Sequence, residues 1–147
     1  MMQVVSPVFR EGTAIPAPYS CKGENVSPPL NFVSVPKDAK SLSLIMHDPD
    51  APSGDFVHWT VWDIPADTGT LAANSVPVGA TQGMNGAGQN KYMGPCPPSG
   101  THRYMFELYA LDTNLGLPSS TDRDDLLKSM DGHILQQFTL TGSFGTN

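Results

Sequence analysis

Basic residues are scarce in this chain. Eight Lys and Arg stand against 14 Asp and Glu, giving a formal net charge of −6 at pH 7 and a pI near 4.9. No Lys/Arg cluster occurs anywhere, and a nucleic acid or an anionic membrane surface needs one, so the composition argues against both partners. Long apolar runs are missing too. None approaches the ~20 residues that cross a bilayer, and the N-terminus "MMQVVSPVFREGTAIPAPYS" lacks a basic start followed by a sustained apolar stretch. A cytoplasmic protein is expected, or a periplasmic or secreted one if a leader precedes Met1. Cysteine is rare: Cys21 and Cys96 are too few for a disulfide scaffold and lack the paired spacing of a zinc site. Both lie in turn-rich segments, "YSCKGENVSPPL" and "GPCPPSG", so free thiols and a single bridge both stay open. Neither repeats nor low-complexity linkers interrupt residues 1–147, which are expected to form one domain. A Gly-x-Ser-x-Gly elbow, a His-Glu-x-x-His pair and a P-loop are likewise absent, which weighs against catalysis.

Turn formers, in contrast, are plentiful. Fourteen prolines and 14 glycines, with 39% hydrophobic residues, point to many short elements joined by defined turns, and so to an all-β domain with one or two short helices. In "SLSLIM" (41–46) Leu42, Leu44 and Met46 share one strand face, and Asp48 continues their parity. "FVHWTVWDI" (56–64) is apolar on both parities, as a strand covered on both faces should be. "RYMFELYAL" (103–111) places Tyr104, Phe106, Leu108 and Ala110 on one face and Met105, Tyr109 and Leu111 on the other. Only "STDRDDLLKSM" has a helical pattern, with Ser120 or Thr121 as cap, acids in the first turn and Leu126, Leu127 and Met130 as its apolar stripe. After Gly132, "HILQQFTLTGSF" resumes strand character.

These polarities place the polar residues. The short loop "HDPDAPSGD" favours an antiparallel pair, so Asp48 and Asp50 at one strand's exit meet His58 at the next strand's entry. His102 and Tyr104 also stand at a strand entry, directly after "GPCPPSG". One sheet end is therefore expected to carry two carboxylates, two imidazoles and a phenol, more than core packing requires. Arg103 and Glu107 share the opposite parity and are expected to form a structural ion pair.

"HDPDAPSGDFVHW", "YMGPCPPSGTHRYMFELYAL" and the upstream "VSPPLNF" together resemble the phosphatidylethanolamine-binding protein family, which includes the Raf kinase inhibitor protein, and most of all its bacterial and archaeal branch. The resemblance implies a two-sheet antiparallel β-sandwich whose end cavity holds phosphate-like or carboxylate anions. It assigns ligand binding to Asp48, Asp50, Pro52, His58, Gly94, Pro95, His102 and Tyr104, with no catalytic residue, cofactor or metal. A backbone N–H near Gly94, an imidazole and the phenol would supply donors, while Asp48 would favour an imidazolium and accept from a protonated ligand oxygen. The family further implies a cis Ala51–Pro52 bond, neighbouring loops around Cys21 and Cys96, a homodimer, and a kinase or protease as a possible protein partner. Three features depart from its eukaryotic members: Phe32 replaces a usual Trp, Val57 replaces a histidine, and no gating helix is expected after Asn147. A regulatory, non-catalytic anion-binding module is the leading expectation. The alternatives are a protease inhibitor acting through a surface loop and a metal-dependent enzyme using Asp48, His58 and His102.

Overall fold

β-branched and aromatic residues fill the strands, and glycine and proline punctuate the segments between them. The computed structural model describes residues 1–146. Among these, the strands are β1 (Gln3–Val5), β2 (Leu30–Val33), β3 (Ser41–Asp48), β4 (Phe56–Pro65), β5 (Thr70–Leu71), β6 (Thr81–Gln82), β7 (Thr101–Leu111) and β8 (Ile134–Gly145). A 3-10 turn spans Ala17–Tyr19, and the single α-helix, α1, spans Arg123–Met130. A three-stranded sheet in the order β1-β2-β5 faces a five-stranded sheet in the order β6-β4-β3-β7-β8, and every strand pair is antiparallel.

Period-two alternation decides what each face of the large sheet covers. Leu42, Leu44 and Met46 of β3 and Tyr104, Phe106, Leu108 and Ala110 of β7 point toward the small sheet, where Val4, Leu30, Phe32 and Leu71 complete the main core. On the outer face Ile45, Trp62, Tyr109 and Leu111 form a second cluster, which Leu126 and Met130 of α1 cover. The central strands are thus covered on both sides, which explains why apolar residues occupy both parities of β4 and β7.

The helix starts one residue later than a Thr121 cap would set it and two later than a Ser120 cap would. Asp122 is the cap, its carboxylate accepting from the Asp125 N–H at 3.0 Å, and Asp124 and Asp125 stand in the first turn. An eight-residue helix has room for one narrow seam, so Leu126 and Met130, four apart, are buried while Leu127 is left 39% exposed.

Leu126→Ala should therefore cost about 2–5 kcal/mol, the usual range for a buried leucine truncated in a packed core, whereas Leu127→Ala should stay within about 0.5 kcal/mol. Urea unfolding of both variants measures this; equal losses would mean that α1 is not docked through Leu126.

Candidate functional site

The site grows out of the core ladder. Asp48 follows Leu42, Leu44 and Met46 on the inner face of β3, and His102 precedes Tyr104 and Phe106 on the inner face of β7, so both ladders turn polar at the same sheet end. Asp48 is 4% exposed. Its Oδ1 accepts from the Asp50 N–H at 2.8 Å, an Asx turn that starts the loop, and its Oδ2 accepts from His102 Nδ1 at 2.7 Å. The next turn closes with the Gly54 N–H donating to the Ala51 carbonyl at 3.0 Å, with φ of +108° at Gly54. Pro52 is then the second residue of a four-residue turn, where a trans proline fits and a cis one does not. Ala51–Pro52 is accordingly trans, contrary to the cis bond expected from the resemblance: the described residues include no cis peptide bond.

His58 reaches the cavity through a break in register. Met46 pairs with Trp59 but His47 pairs with Val57, so His58 is the extra residue of a β-bulge and is re-aimed toward the sheet end. Its Nδ1–H donates to the Met93 carbonyl at 2.6 Å, and its ring meets Phe56 and Tyr104 edge-on at centroid distances of 5.1 and 5.3 Å. Burial is the strongest influence on this imidazole and lowers its pKa, the bond to Met93 offsetting only part of it. Neutral His58 therefore presents Nε2 as an acceptor. Burial, with the Asp48 carboxylate close by, likewise pushes the Tyr104 phenol well above its ordinary value, so it stays a protonated donor.

Together Asp48, His58, His102 and Tyr104 line a cavity of about 210 Å³, completed by apolar groups of Ala51, Pro52, Phe56, Met93, Pro97 and Pro98 and by Gly94 and Cys96. Asp50 and Pro95 are not in its lining. The Asp50 carboxylate turns outward, where Arg103 binds it through Nε at 3.0 Å, Nη2 at 2.9 Å and the backbone N–H at 2.9 Å. Those bonds hold its pKa down to about 2. Pro95 is buried, and its carbonyl accepts from the Cys21 N–H at 3.1 Å. The Gly94 N–H is not free for a ligand, as it donates to Asn25 Oδ1 at 2.8 Å. Gly94 is needed for close approach, since a Cβ there would run into Asn25 and the Tyr19 carbonyl. Cys21 and Cys96 are joined in a disulfide with Cα atoms 5.4 Å apart.

Arg103 and Glu107 do not pair. Shared parity puts them on one face, but Asp50 at the loop is nearer to Arg103, while Glu107 accepts from His47 Nε2 at 2.6 Å and from the Tyr109 hydroxyl. This outer network escaped the sequence reading, although His47 opens the quoted "HDPDAP". His47 Nδ1 also meets Asp55 at 2.8 Å, and Arg123 binds the same carboxylate at 2.7 Å. Burial opposes charge on His47, but the two carboxylates outweigh it and raise the pKa; Asp55 and Glu107 are lowered in turn. As for the metal alternative, Asp48, His58 and His102 do not converge as a three-ligand set among the described residues.

The molecule is thus a small antiparallel two-sheet sandwich with a polar cavity where its core ladders end. Residues 5–145 match the family profile described as "Phosphatidylethanolamine-binding protein". The chain belongs to that family. It is 46% identical to the UPF0098 protein of Methanothermobacter thermautotrophicus over 148 residues, covering 97% of this chain and 98% of that one. A structure described as a phosphatidylethanolamine-binding protein homolog from Chlamydia trachomatis superposes with a TM-score of 0.96 at 42% identity, over 99% of this chain and 98% of the other. YbcL of E. coli, described as a new member of the mammalian family, superposes with a TM-score of 0.92 at 29% identity over 99% of both chains.

The two shifted histidines act in adjacent pH windows. His47, raised above 6.5, stabilises fully below that value and progressively less as pH rises through its folded-state pKa. His58, lowered below 6.5, makes stability fall as pH drops from 6.5 toward its folded-state pKa, because the unfolded chain takes up the proton first. The urea midpoint should hence peak at about 6.5. His47→Gln should flatten the alkaline side and His58→Gln the acid side; a wild-type midpoint constant from pH 5 to 8 would contradict both assignments.

Proposed function

We propose that the chain is a non-catalytic binding and regulatory protein whose end cavity takes a phosphoryl or carboxylate group that still carries a proton. One observation carries this most: a buried carboxylate, two imidazoles and a phenol line one otherwise apolar cavity of about 210 Å³. Each polar group has a use. The Tyr104 hydroxyl can donate to an ionised oxygen, His102 offers its remaining ring nitrogen, and Asp48 and His58 Nε2 can accept from a ligand O–H. A fully ionised phosphate would meet acceptors where it needs donors. Binding without turnover is favoured because no serine, threonine or free thiol that could act as a nucleophile lines the cavity. The homodimer expected from the resemblance would use the outer face of the small sheet, where Val5 and Val33 are exposed. Light scattering at micromolar concentration that returned the monomer mass of 15.7 kDa would overturn that assembly.

Calorimetric titration with phosphoethanolamine tests the ligand class. Affinity should rise as pH falls through ~6, the second ionisation of a phosphomonoester, because only the monoanion can donate to Asp48. His102→Ala and Tyr104→Phe should each weaken binding by about 1–3 kcal/mol by removing a bond to a charged group. Thermal melts of the same variants separate lost contact from lost fold. Unchanged affinity in both variants, or tighter binding of the dianion, would rule out this site.

A further inference from the structure

The disulfide has an unusual position for a structural cross-link. Both half-cystines are exposed, and Cys96 itself lines the anion cavity between Gly94 and the Pro97–Pro98 pair, which line it too. The bridge ties this wall to the loop that carries Cys21, 75 residues earlier in the chain.

Three hydrogen bonds join the same two segments. The Tyr92 hydroxyl donates to the Tyr19 carbonyl at 2.8 Å, the Gly94 N–H to Asn25 Oδ1 at 2.8 Å, and the Cys21 N–H to the Pro95 carbonyl at 3.1 Å. All three end at Pro95 or before it. Beyond that point Cys96, Pro97 and Pro98 form the cavity side of the wall, and the prolines lack the N–H that could tie them elsewhere. Regular pairing resumes only at Thr101, where β7 begins. Beyond a backbone hydrogen bond from Cys96 to the Tyr104 hydroxyl and the packing of buried Pro97, the covalent bond is the cross-link that ties residues 96–98 to the Cys21 loop. Tyr104, whose hydroxyl lies beside the Cys96 backbone, depends on the same stretch.

We propose that the Cys21–Cys96 bridge is a thiol-exchange site built into the cavity wall: a low-molecular-weight dithiol opens it, and opening releases residues 96–98 and weakens anion binding. This inference rests on the anion-binding function proposed above. A thiolate of the dithiol attacks one exposed sulfur, the S–S bond breaks, and its electron pair leaves on the other sulfur, which takes a proton from water. The second thiolate of the reagent then attacks its own sulfur in the mixed disulfide. It closes the oxidised cyclic reagent and frees the second cysteine, so the bridge gains two electrons and two protons in all. Exposed disulfides are the ones that exchange readily, whereas buried ones resist. Coupling of this kind is reciprocal, so an anion that needs the wall in place must also protect the bridge from reduction.

Phosphoethanolamine affinity should be measured by calorimetry on the oxidised protein, after reduction with excess dithiothreitol, and after reoxidation. The reduced protein should bind at least fivefold more weakly, and reoxidation should restore the original value. The double variant Cys21→Ser/Cys96→Ser should bind weakly whether or not dithiothreitol is present; should it not fold by circular dichroism, the wild-type cycle decides alone. In a second readout, free thiol released at a fixed dithiothreitol ratio should fall as phosphoethanolamine is added. Equal affinities in both redox states would overturn the gating while leaving the anion site standing, and so would a bridge that resists dithiothreitol in the folded protein. Failure of the oxidised protein to bind would remove the anion site and the gating with it.

Discussion

The buried Asp48 carboxylate is the constraint around which this end of the molecule is arranged. Moving an ionised carboxylate out of water costs several kcal/mol even after relaxation, and an apolar core offers nothing in return. Two partners offset it here: the Asp50 N–H, which forces the chain into a tight turn directly after β3, and His102 Nδ1, which fixes one imidazole at the start of β7. The loop geometry, the orientation of His102 and the polar floor of the cavity therefore share one cause. Without Asp48 the ladder of Leu42, Leu44 and Met46 would simply run out at an apolar edge.

Alternation along β3 and β7 then sorts the remaining charges. Inner positions carry Asp48, His102 and Tyr104, and outer positions carry His47, Arg103, Glu107 and Tyr109. The loop between β3 and β4 is held from both sides, inside through Asp48 and outside through Asp50 with Arg103 and Asp55 with His47 and Arg123. Exposed ion pairs contribute little stability one at a time. Their effect here is geometric, because Arg103 uses its side chain and its backbone N–H on one carboxylate, so the loop that carries Ala51 and Pro52 cannot drift from β7. Asp50 thereby ties the loop to β7 without lining the cavity.

Much of this was legible in the residues. Period-two patterning is a local property, so the inner faces of β3 and β7, the antiparallel hairpin between β3 and β4, and the meeting of Asp48, His58, His102 and Tyr104 at one end could all be read from spacing. What escaped depends on partners distant in sequence or on irregularities that spacing does not encode. The bulge at His58 changes which way a side chain points without changing its neighbours in the chain. Parity placed Arg103 beside Glu107, but Asp50 and His47, 53 and 60 residues away from them, compete for the two side chains and win. The Gly94 N–H, expected to face a ligand, is taken by Asn25, 69 residues earlier. The trans Ala51–Pro52 bond follows from where Pro52 falls within its turn, which only the Gly54 hydrogen bond reveals.

Charge sets the last restriction on what the cavity can hold. At −6 overall, the chain repels anions at long range, so on the proposed function attraction would come from contacts made after arrival. Those contacts would include a carboxylate, which penalises each further negative charge on the ligand. Phe56, Met93, Pro52, Pro97 and Pro98 cover most of the rest, and they reward apolar surface at about 25 cal/mol per Å². On the proposed function, free, fully ionised phosphate would be disfavoured twice, by repulsion and by a lining that is mostly carbon. For the ligand class proposed above, a singly charged head attached to an apolar body would meet neither objection, since its proton would satisfy Asp48 and its body would contact the proline-rich wall.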